Sequence, residues 1–432
     1  MQIAKRLPYY AGLILLAYMP FHLFLAQSLS LITGGLEVWK VAKDVLVGLL
    51  TLFVICMVFI ARRTSRTFWL LGGLLVGYGL LHVALWLVHR DIYAQSAILG
   101  TVYNVRLLCF LVIGYGTVRL YPGMFQLRPI RMIVLSAATL VALLGVLQYF
   151  LPSDILTHVG YGIERGARAS FSIDNAAGFT RIMSTLRDPN SLGAFLLVPM
   201  AMTVLALLQK GSHYRQMVCS GALALMILAL FMTFSRSAWM AAVVTVGLTI
   251  LWQYRDLAMV FVKRFGVLLV CLLIIGAGVA YSQRHSAFVT SYITHSSQGS
   301  SDIDSNEYHW LFVKQGLDGI AQQPFGHGPG TAGLASIQNP KGSFLTENYY
   351  VQIGYELGVF GLLFFVAMQV WLYIRLWRQR NDPLAVVLLA SFWGYVLMNM
   401  LLHTWSNEAV ACQWWLLAGI VLALPTIAKK RA

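Results

Sequence analysis

The feature that most constrains this chain is a series of about twelve long apolar runs joined by polar segments. A helix needs about 20 largely apolar residues to cross about 30 Å of hydrocarbon. Only helices or closed barrels satisfy their backbone hydrogen bonds there, and these runs are too long and too continuous for barrel strands. Hydrophobic residues make up 59% of the 432 and charged residues 11%, which excludes an ordinary soluble domain. The sequence therefore predicts an all-α integral membrane protein.

We predict about twelve transmembrane helices in a single polytopic domain covering residues 1–432, without internal repeats or linkers. The predicted spans are Tyr9–Ala26, Val45–Ala61, Phe68–Val88, Ile98–Val118, Ile130–Leu151, Ser191–Leu208, Met217–Thr233, Ala238–Trp252, Val260–Tyr281, Asn348–Leu372, Leu384–Leu402 and Ala409–Ile427. Two segments between spans, residues 152–189 and 283–346, are long enough to carry a functional site.

The net charge of +15 follows the predicted topology. With the N-terminus in the cytoplasm, most of the 31 Lys and Arg residues fall on the cytoplasmic side, where Asp256 and Asp382 are the only acidic residues. This positive-inside pattern predicts that both termini are cytoplasmic and that the two long segments are external. We therefore attribute the excess charge to topology and expect no nucleic-acid partner.

The second long segment contains a predicted amphipathic helix, DSNEYHWLFVKQGLDGIAQQPFG, at residues 304–326. The apolar residues of its stripe are Trp310, Val313, Leu317 and Ile320. Such a helix either lies on the bilayer surface or packs over the spans. Pro324 ends it, and the sequence GHGPG at Gly326–Gly330 predicts a turn that closely approaches whatever lies beneath.

Two arginines precede a predicted helix start in the first long segment, within RIMSTLRDPNSLG. Asp188 can cap the helix and Pro189 suits its first turn. Arg181 and Arg187 would then lie near the positive end of the helix dipole, a combination that can bind a diphosphate. The alternative is that these arginines pair with lipid headgroups or with nearby acidic residues.

Three further charges interrupt apolar sequence. Arg236, in TFSRSAWM, occupies a short external turn and is either a snorkelling anchor or an anion ligand. Arg106 and Glu356 lie well inside predicted spans. A charge inside the membrane is a functional candidate, but mutual or backbone pairing is a serious structural alternative.

Glu347 stands at the external edge of the span that begins at Asn348. A carboxylate there is a candidate general base, or it is a capping or arginine-paired group. The histidines of the second long segment are His285, His295, His309 and His327. Their spacing matches no zinc site, so we predict neither a metal nor another cofactor. His327, in the glycine turn, is the best of the four as a site residue.

Four motifs on one predicted face occur in the order RIMSTLRDPN, SRSAW, PFGHGPG and NYYVQIGYELGVFG, from Arg181 to Gly361. This pattern resembles the O-antigen ligase and O-antigen polymerase superfamily of bacterial envelope glycosyltransferases. The resemblance implies a GT-C-like protein of the bacterial inner membrane, with a periplasmic active site and an undecaprenyl-diphosphate-linked glycan as donor. Ligases pass the glycan to lipid A core, whereas polymerases pass it to another lipid-linked repeat.

The resemblance also implies roles for matching residues. Arg181 corresponds to the arginine before the PN signature, and Arg236 to the arginine of the SR turn. Many members carry His-Asn where this chain has Glu347-Asn348, which puts a histidine base in doubt unless His327 supplies it. Members often place an arginine shortly before the loop tryptophan, where this chain offers only Arg284 further upstream.

The prediction is an O-antigen ligase that inverts the anomeric centre without a metal, with an O-antigen polymerase as the alternative. The predicted site residues are Glu347 and His327 as bases, Arg181, Arg187, Arg236 and Arg284 as diphosphate ligands, and Asn190 and Asn348 as supporting residues. The partners are the lipid-linked donor, the lipid A core or lipid-linked acceptor, and membrane lipids. A transporter is more remote, because it predicts repeats and broken, polar-lined spans that the sequence lacks.

Overall fold

The computed structural model describes residues 2–122, 126–172, 180–209, 211–255 and 305–424. This part of the chain is almost entirely helical, with one short two-stranded antiparallel sheet, β1 (Phe171–Ser172) and β2 (Thr180–Arg181). The α-helices are α1 (Gln2–Tyr18), α2 (His22–Thr33), α3 (Leu36–Ile60), α4 (Arg66–Val88), α5 (Ala94–Leu120), α6 (Leu127–Tyr149), α7 (Pro189–Leu208), α8 (His213–Met232), α9 (Arg236–Gln253), α10 (Ser305–Gln322), α11 (Tyr349–Arg378), α12 (Pro383–Asn399) and α13 (Glu408–Ala423).

Eight helical stretches of the described chain are long and apolar enough to cross a membrane, with α1 and α2 forming one of them. Helices α12 and α13 are also apolar but have only 17 and 16 residues. The predicted spans within the described ranges all coincide with helices, whereas the predicted span Val260–Tyr281 lies outside them. The all-α membrane architecture is confirmed, and the number of twelve spans stays a prediction.

The centre of the bundle is the close pair α5 and α13. A Cβ atom added to Gly114 would lie 2.0 Å from the carbonyl oxygen of Leu416, and one on Gly419 would lie 2.1 Å from that of Leu111. Small residues let membrane helices approach this closely, and the gain in van der Waals contact replaces the hydrophobic drive that lipid cannot supply. This contact fixes the residues just before α13 against α5.

The predicted amphipathic helix is confirmed as α10, and its apolar stripe is divided between two environments. Ile320 packs against Gly354 of α11, whereas the side chains of Trp310 and Leu317 are 67% and 49% exposed. Two glycines approach α11 closely: an added Cβ atom would lie 2.5 Å from the Val351 side chain at Gly316 and 2.4 Å from the Tyr355 side chain at Gly319. Helix α10 thus packs on α11 through small residues, while the large apolar side chains of Trp310 and Leu317 are left exposed.

The predicted glycine turn is also confirmed, and it packs directly on the bundle. Gly330 has φ of +75°, and an added Cβ atom would lie 1.9 Å from the carbonyl oxygen of Ser96 on α5. Helix α11 is interrupted at Gly358, whose φ is +71°. The interruption frees the carbonyl of Glu356, which accepts a hydrogen bond from the amide of Gly328 at 2.9 Å. Only glycine adopts such backbone angles freely, so the motif predicts this contact.

Candidate active site

Helix α7 begins as its sequence predicts. The Asp188 side chain accepts hydrogen bonds from the backbone amide and the hydroxyl of Ser191, each at 2.8 Å, and Pro189 is the first helical residue. The Asp188 cap satisfies one backbone N–H group at the start of α7. The other N–H groups of the first turn and the positive end of the helix dipole favour binding of an anion there. This helix end opens onto a cleft.

The cleft has a volume of about 280 Å³ and is lined by residues from several elements. Both long predicted external segments contribute, through the start of α7 and through residues 334–347. Helices α2, α3 and α5 and residues 402–408 complete the lining. Among the predicted site residues, Glu347, Arg187 and Asn190 line this one cleft.

Of the predicted site residues that line the cleft, Arg187 is the one with a positive charge. Its side chain is half-buried and makes no hydrogen bond or ion pair with any described residue. A guanidinium with five unused donors beside a helix N-terminus is suited to binding a diphosphate through paired oxygens.

Arg181 lies behind the cleft lining and contacts it through Asn190. Its Nη2 donates to Oδ1 of Asn190 at 3.1 Å, and its Nε donates to the carbonyl oxygen of Thr233 at 2.9 Å. Thr233 belongs to the turn that leads into α9, whose first residue is Arg236. Arg181 therefore orients Asn190 and joins the cleft to the Arg236 turn, while neither arginine is among the lining residues. Arg284 lies outside the described residues.

The backbone at Glu347 is held in an unusual conformation. Its φ is +52°, a left-handed value that costs energy for a residue with a side chain. Both neighbours are tied down: Thr346 Oγ1 lies 3.2 Å from Nε2 of His403, and Asn348 Nδ2 donates to the carbonyl of Met400 at 2.8 Å. The Asn348 side chain also caps the first amides of α11. Asn348 thus fixes the chain at the start of α11, directly after Glu347.

Two histidines face Glu347. His309 of α10 places Nδ1 3.4 Å from a carboxylate oxygen of Glu347, and the Glu347 side chain remains 24% exposed. Burial acts to raise the pKa of Glu347, but the hydrogen bond from His309 and the charges of His309 and His403 outweigh it, so the pKa falls below its ordinary value. Burial lowers the pKa of His403 to about 4, despite the opposing effect of Glu347. Glu347 is thus a carboxylate and His403 a neutral imidazole near neutral pH.

His327 lies away from this cleft. Its ring stacks on Tyr355 with centroids 3.9 Å apart, and its Nδ1 lies 3.2 Å from the Tyr355 carbonyl oxygen. Burial lowers the pKa of His327, partly offset by that carbonyl. His327 is not among the cleft-lining residues, so the structure does not bring it to Glu347.

A second set of charges lies at the same cleft, and we call it the paired-charge cluster; all its members line the cleft except Arg106, which is buried. Lys43 lies 2.8 Å from Asp44, and Arg106 lies 3.5 Å from Asp44 and 4.0 Å from Glu408. Arg106 also donates to the carbonyl of Ser406. The cluster comprises Glu37, Lys40, Lys43, Asp44, Arg106 and Glu408. Arg106 therefore has the structural pairing that the sequence left open.

Glu356 likewise has a structural environment. It is fully buried, and its carboxylate accepts hydrogen bonds from the amides of Gly330 at 3.1 Å and Ala332 at 3.2 Å, and from Asn104 at 3.3 Å. These bonds attach the glycine turn to α11. Glu356 does not line the cleft.

The sequence did not identify His403, Lys40, Lys43 and Glu408 as cleft-lining residues, nor His309 as the neighbour of Glu347. One signal was available, because Lys40, Lys43 and Asp44 recur at helical spacing on one face of an otherwise apolar span. The histidines carry no such signal, since their partners come from distant parts of the chain. Within the described residues, no group of His, Cys, Asp or Glu side chains is placed to hold a metal ion.

Comparison with known proteins gives one family. Residues 221–366 match the sequence profile described as O-antigen ligase. The match runs from α8 into α11, so it includes Glu347 and His309 but not Arg187. A search of curated proteins finds no match to the chain.

Proposed function

We propose, from the chain's membership of the O-antigen ligase and polymerase superfamily, that it is an O-antigen ligase. It would move a glycan from undecaprenyl diphosphate to lipid A core on the periplasmic face of the inner membrane. The observation that carries this proposal is that a free guanidinium, Arg187, and a carboxylate, Glu347, face the same cleft. Both charges also act on the pKa of His403 in the same cleft: burial lowers that pKa most, Glu347 raises it and Arg187 lowers it.

The donor would bind by its diphosphate at the start of α7. Arg187 supplies an unpaired guanidinium, and the helix N-terminus supplies backbone donors and a positive dipole. Asn190, held by Arg181, presents its amide at the same place. Arg236 would act from behind through the turn that Arg181 contacts. Fixed positive groups of this kind stabilise the charge that develops on the leaving diphosphate, so the proposal requires no metal.

The acceptor would react by a single displacement. The oxygen of an acceptor hydroxyl forms a bond to the anomeric carbon while the bond from that carbon to the diphosphate oxygen breaks. The diphosphate leaves with the electron pair as undecaprenyl diphosphate, and the hydroxyl proton passes to Glu347 as general base. Attack opposite the leaving group inverts the anomeric configuration.

Glu347 suits this role because its protonation and position are both set. Its lowered pKa keeps it ionised at neutral pH, and the contacts of Thr346 and Asn348 hold it in place. A base must be within hydrogen-bond reach of the proton it takes, and the cleft gives a hydroxyl access to it. His309 would orient the carboxylate through its contact at 3.4 Å.

The test is reconstitution of the purified protein in liposomes with an undecaprenyl-diphosphate-linked glycan and lipid A core glycolipid. A ligase produces glycan-modified lipid A core. A deletion strain should then accumulate polymer on its carrier and leave its lipid A core unmodified. A single repeat on the core would instead identify a polymerase, which the family match also covers. The assay is repeated with a lipid-linked repeat as the acceptor. If folded protein transfers glycan neither to lipid A core nor to that repeat, both the ligase and the polymerase function are refuted.

A further inference from the structure

The paired-charge cluster differs in its electrostatics from the group around Glu347, although both border one cleft. Its three cations, Lys40, Lys43 and Arg106, each have a carboxylate within 4.0 Å. Three carboxylates balance three cations, so the cluster has no net formal charge. An anionic ligand would find no uncompensated positive charge there, in contrast to the free guanidinium of Arg187.

The cluster nevertheless keeps unused hydrogen-bonding capacity. The Lys43 ammonium donates hydrogen bonds to Asp44 at 2.8 Å and to the Lys40 carbonyl at 2.9 Å, and its third N–H group remains available. The Lys40 ammonium likewise bonds Glu37 and the Arg165 carbonyl, each at 2.9 Å. The carboxylates of Asp44 and Glu408 line the cleft and can accept further bonds. The lining therefore offers both donors and acceptors.

Two buried hydroxyls next to the cluster have no protein partner. Thr404 and Ser406 both line the cleft and are only 6% and 4% exposed, yet their hydroxyl oxygens make no hydrogen bond with the described residues. Buried polar groups are nearly always satisfied, and an exception calls for a ligand or water. The ring of Tyr103, against which Arg106 lies at 4.7 Å, adds a flat apolar surface to the same lining.

We infer that the cleft-lining members of the paired-charge cluster, with Thr404, Ser406 and Tyr103, bind the acceptor as an uncharged saccharide through its hydroxyl groups. Sugar hydroxyls both donate and accept, so they match a lining that offers both donors and acceptors, and the sugar's C–H face suits an aromatic ring. A phosphate would match the cluster poorly. This inference rests on the proposed function and assigns the acceptor side of the same cleft.

The sharpest variant is Ser406→Ala, because it removes a hydroxyl that has no partner in the fold. The Ser406 carbonyl still accepts from Arg106, so the structure should be unaffected. Ser96→Ala is the matched control, since Ser96 is also buried with an unpartnered hydroxyl but does not line the cleft. We expect Ser406→Ala to raise the KM for lipid A core about three- to tenfold, with the donor KM unchanged. Ser96→Ala should change neither constant.

Glu408→Gln keeps the shape of the side chain and removes its charge. We expect it to raise the acceptor KM about tenfold or more, because hydrogen bonds to charged groups are stronger than neutral ones. A rise in the donor KM instead would assign the cluster to the donor and overturn the inference. An unchanged acceptor KM in both cleft variants would overturn it as well.

The nature of the recognised group is tested with the same glycolipid after enzymatic removal of its phosphates. Recognition through sugar hydroxyls predicts an unchanged acceptor KM, whereas a tenfold rise would show that phosphate is bound and would contradict the inference. Hydrogen–deuterium exchange provides a readout independent of turnover. Lipid A core should protect the backbone of residues 403–408 in the reconstituted wild type, and absence of protection would refute the subsite. Protection without any transfer would count against the proposed function alone.

Discussion

Glu347 lies just before helix α11 and Glu356 lies about two turns inside it, and their surroundings give them opposite properties. The Glu347 carboxylate is partly exposed, borders the cleft and faces the imidazole of His309. The Glu356 carboxylate is fully buried and is occupied by the amides of Gly330 and Ala332. A carboxylate saturated by fixed backbone donors holds a fold together, whereas one with free capacity beside a cleft can take a proton.

The position of an acidic residue in an apolar segment therefore does not decide its role. Both residues are candidates by sequence, since each interrupts apolar sequence near one helix start. Glu347 and Glu356 differ in the hydrogen-bond donors that the rest of the chain supplies to their carboxylates. We expect variants of the two residues to separate accordingly into effects on transfer and effects on stability.

After Glu347 itself, Arg187 is the cleft residue whose substitution should reduce glycan transfer most. Arg187→Gln should reduce glycan transfer by about 100-fold or more, because it removes a positive donor from the leaving diphosphate. Arg187→Lys should retain part of the activity, since the charge remains but the paired geometry is lost. The control is Arg215→Gln, an exposed arginine at the start of α8 outside the cleft. Equal transfer activity of the Arg187→Gln and Arg215→Gln variants would show that Arg187 does not bind the diphosphate.

The stability side of the comparison is tested by Glu356→Leu. The variant leaves the amides of Gly330 and Ala332 buried without an acceptor, which costs about 1–3 kcal/mol for each. We expect a lower unfolding temperature in detergent and poorer recovery from membranes. Glu347→Gln is the paired variant, and it should unfold at the wild-type temperature. The contrast fails if Glu356→Leu is as stable as the wild type.

A smaller effect is expected for His309→Gln. The hydrogen bond and charge of His309 lower the pKa of Glu347, and His403 acts in the same direction. Without His309 the pKa of Glu347 should rise, so that the base becomes protonated earlier on acidification. The acid limb of the pH–rate profile should move to higher pH. His327→Gln, which alters a histidine stacked outside the cleft, should leave that limb in place. An unmoved limb in the His309 variant would show that His309 does not act on the base.

The smallest effect is expected from chelation. The proposed donor site consists of a guanidinium, an amide and a helix N-terminus, so EDTA should leave the transfer rate within about twofold of the untreated protein. Rates of the reconstituted wild type with and without EDTA, followed by Mg²⁺ addition, measure this. A loss of activity restored by Mg²⁺ would mean that a cation shares the stabilisation of the diphosphate.

Local features of the fold could be predicted from the sequence. Apolar runs give the helices, Asp188 and Pro189 give the start of α7, and the glycines of residues 326–330 give the tight turn. Each depends on neighbours along the chain, where spacing and residue chemistry are informative. Glu347 and Arg187 were identified for the same reason, because each stands at a helix start.

The assembly of the cleft could not be predicted, because it depends on contacts between distant segments. Arg106 donates to Ser406, 300 residues away along the chain, and His403 reaches Thr346 from a different helix connection. Without those contacts the sequence could not separate a paired Arg106 from a free Arg187. Nor could it place His327 on Tyr355 rather than in the cleft.

The most direct test of the account is glycan transfer by Glu347→Gln protein present in membranes at the wild-type level. We expect transfer to fall by about 100-fold or more, because the acceptor hydroxyl loses its base while folding is unaffected. Transfer by Glu347→Gln protein at the wild-type rate would contradict it, since the carboxylate facing the cleft would then have no part in the reaction.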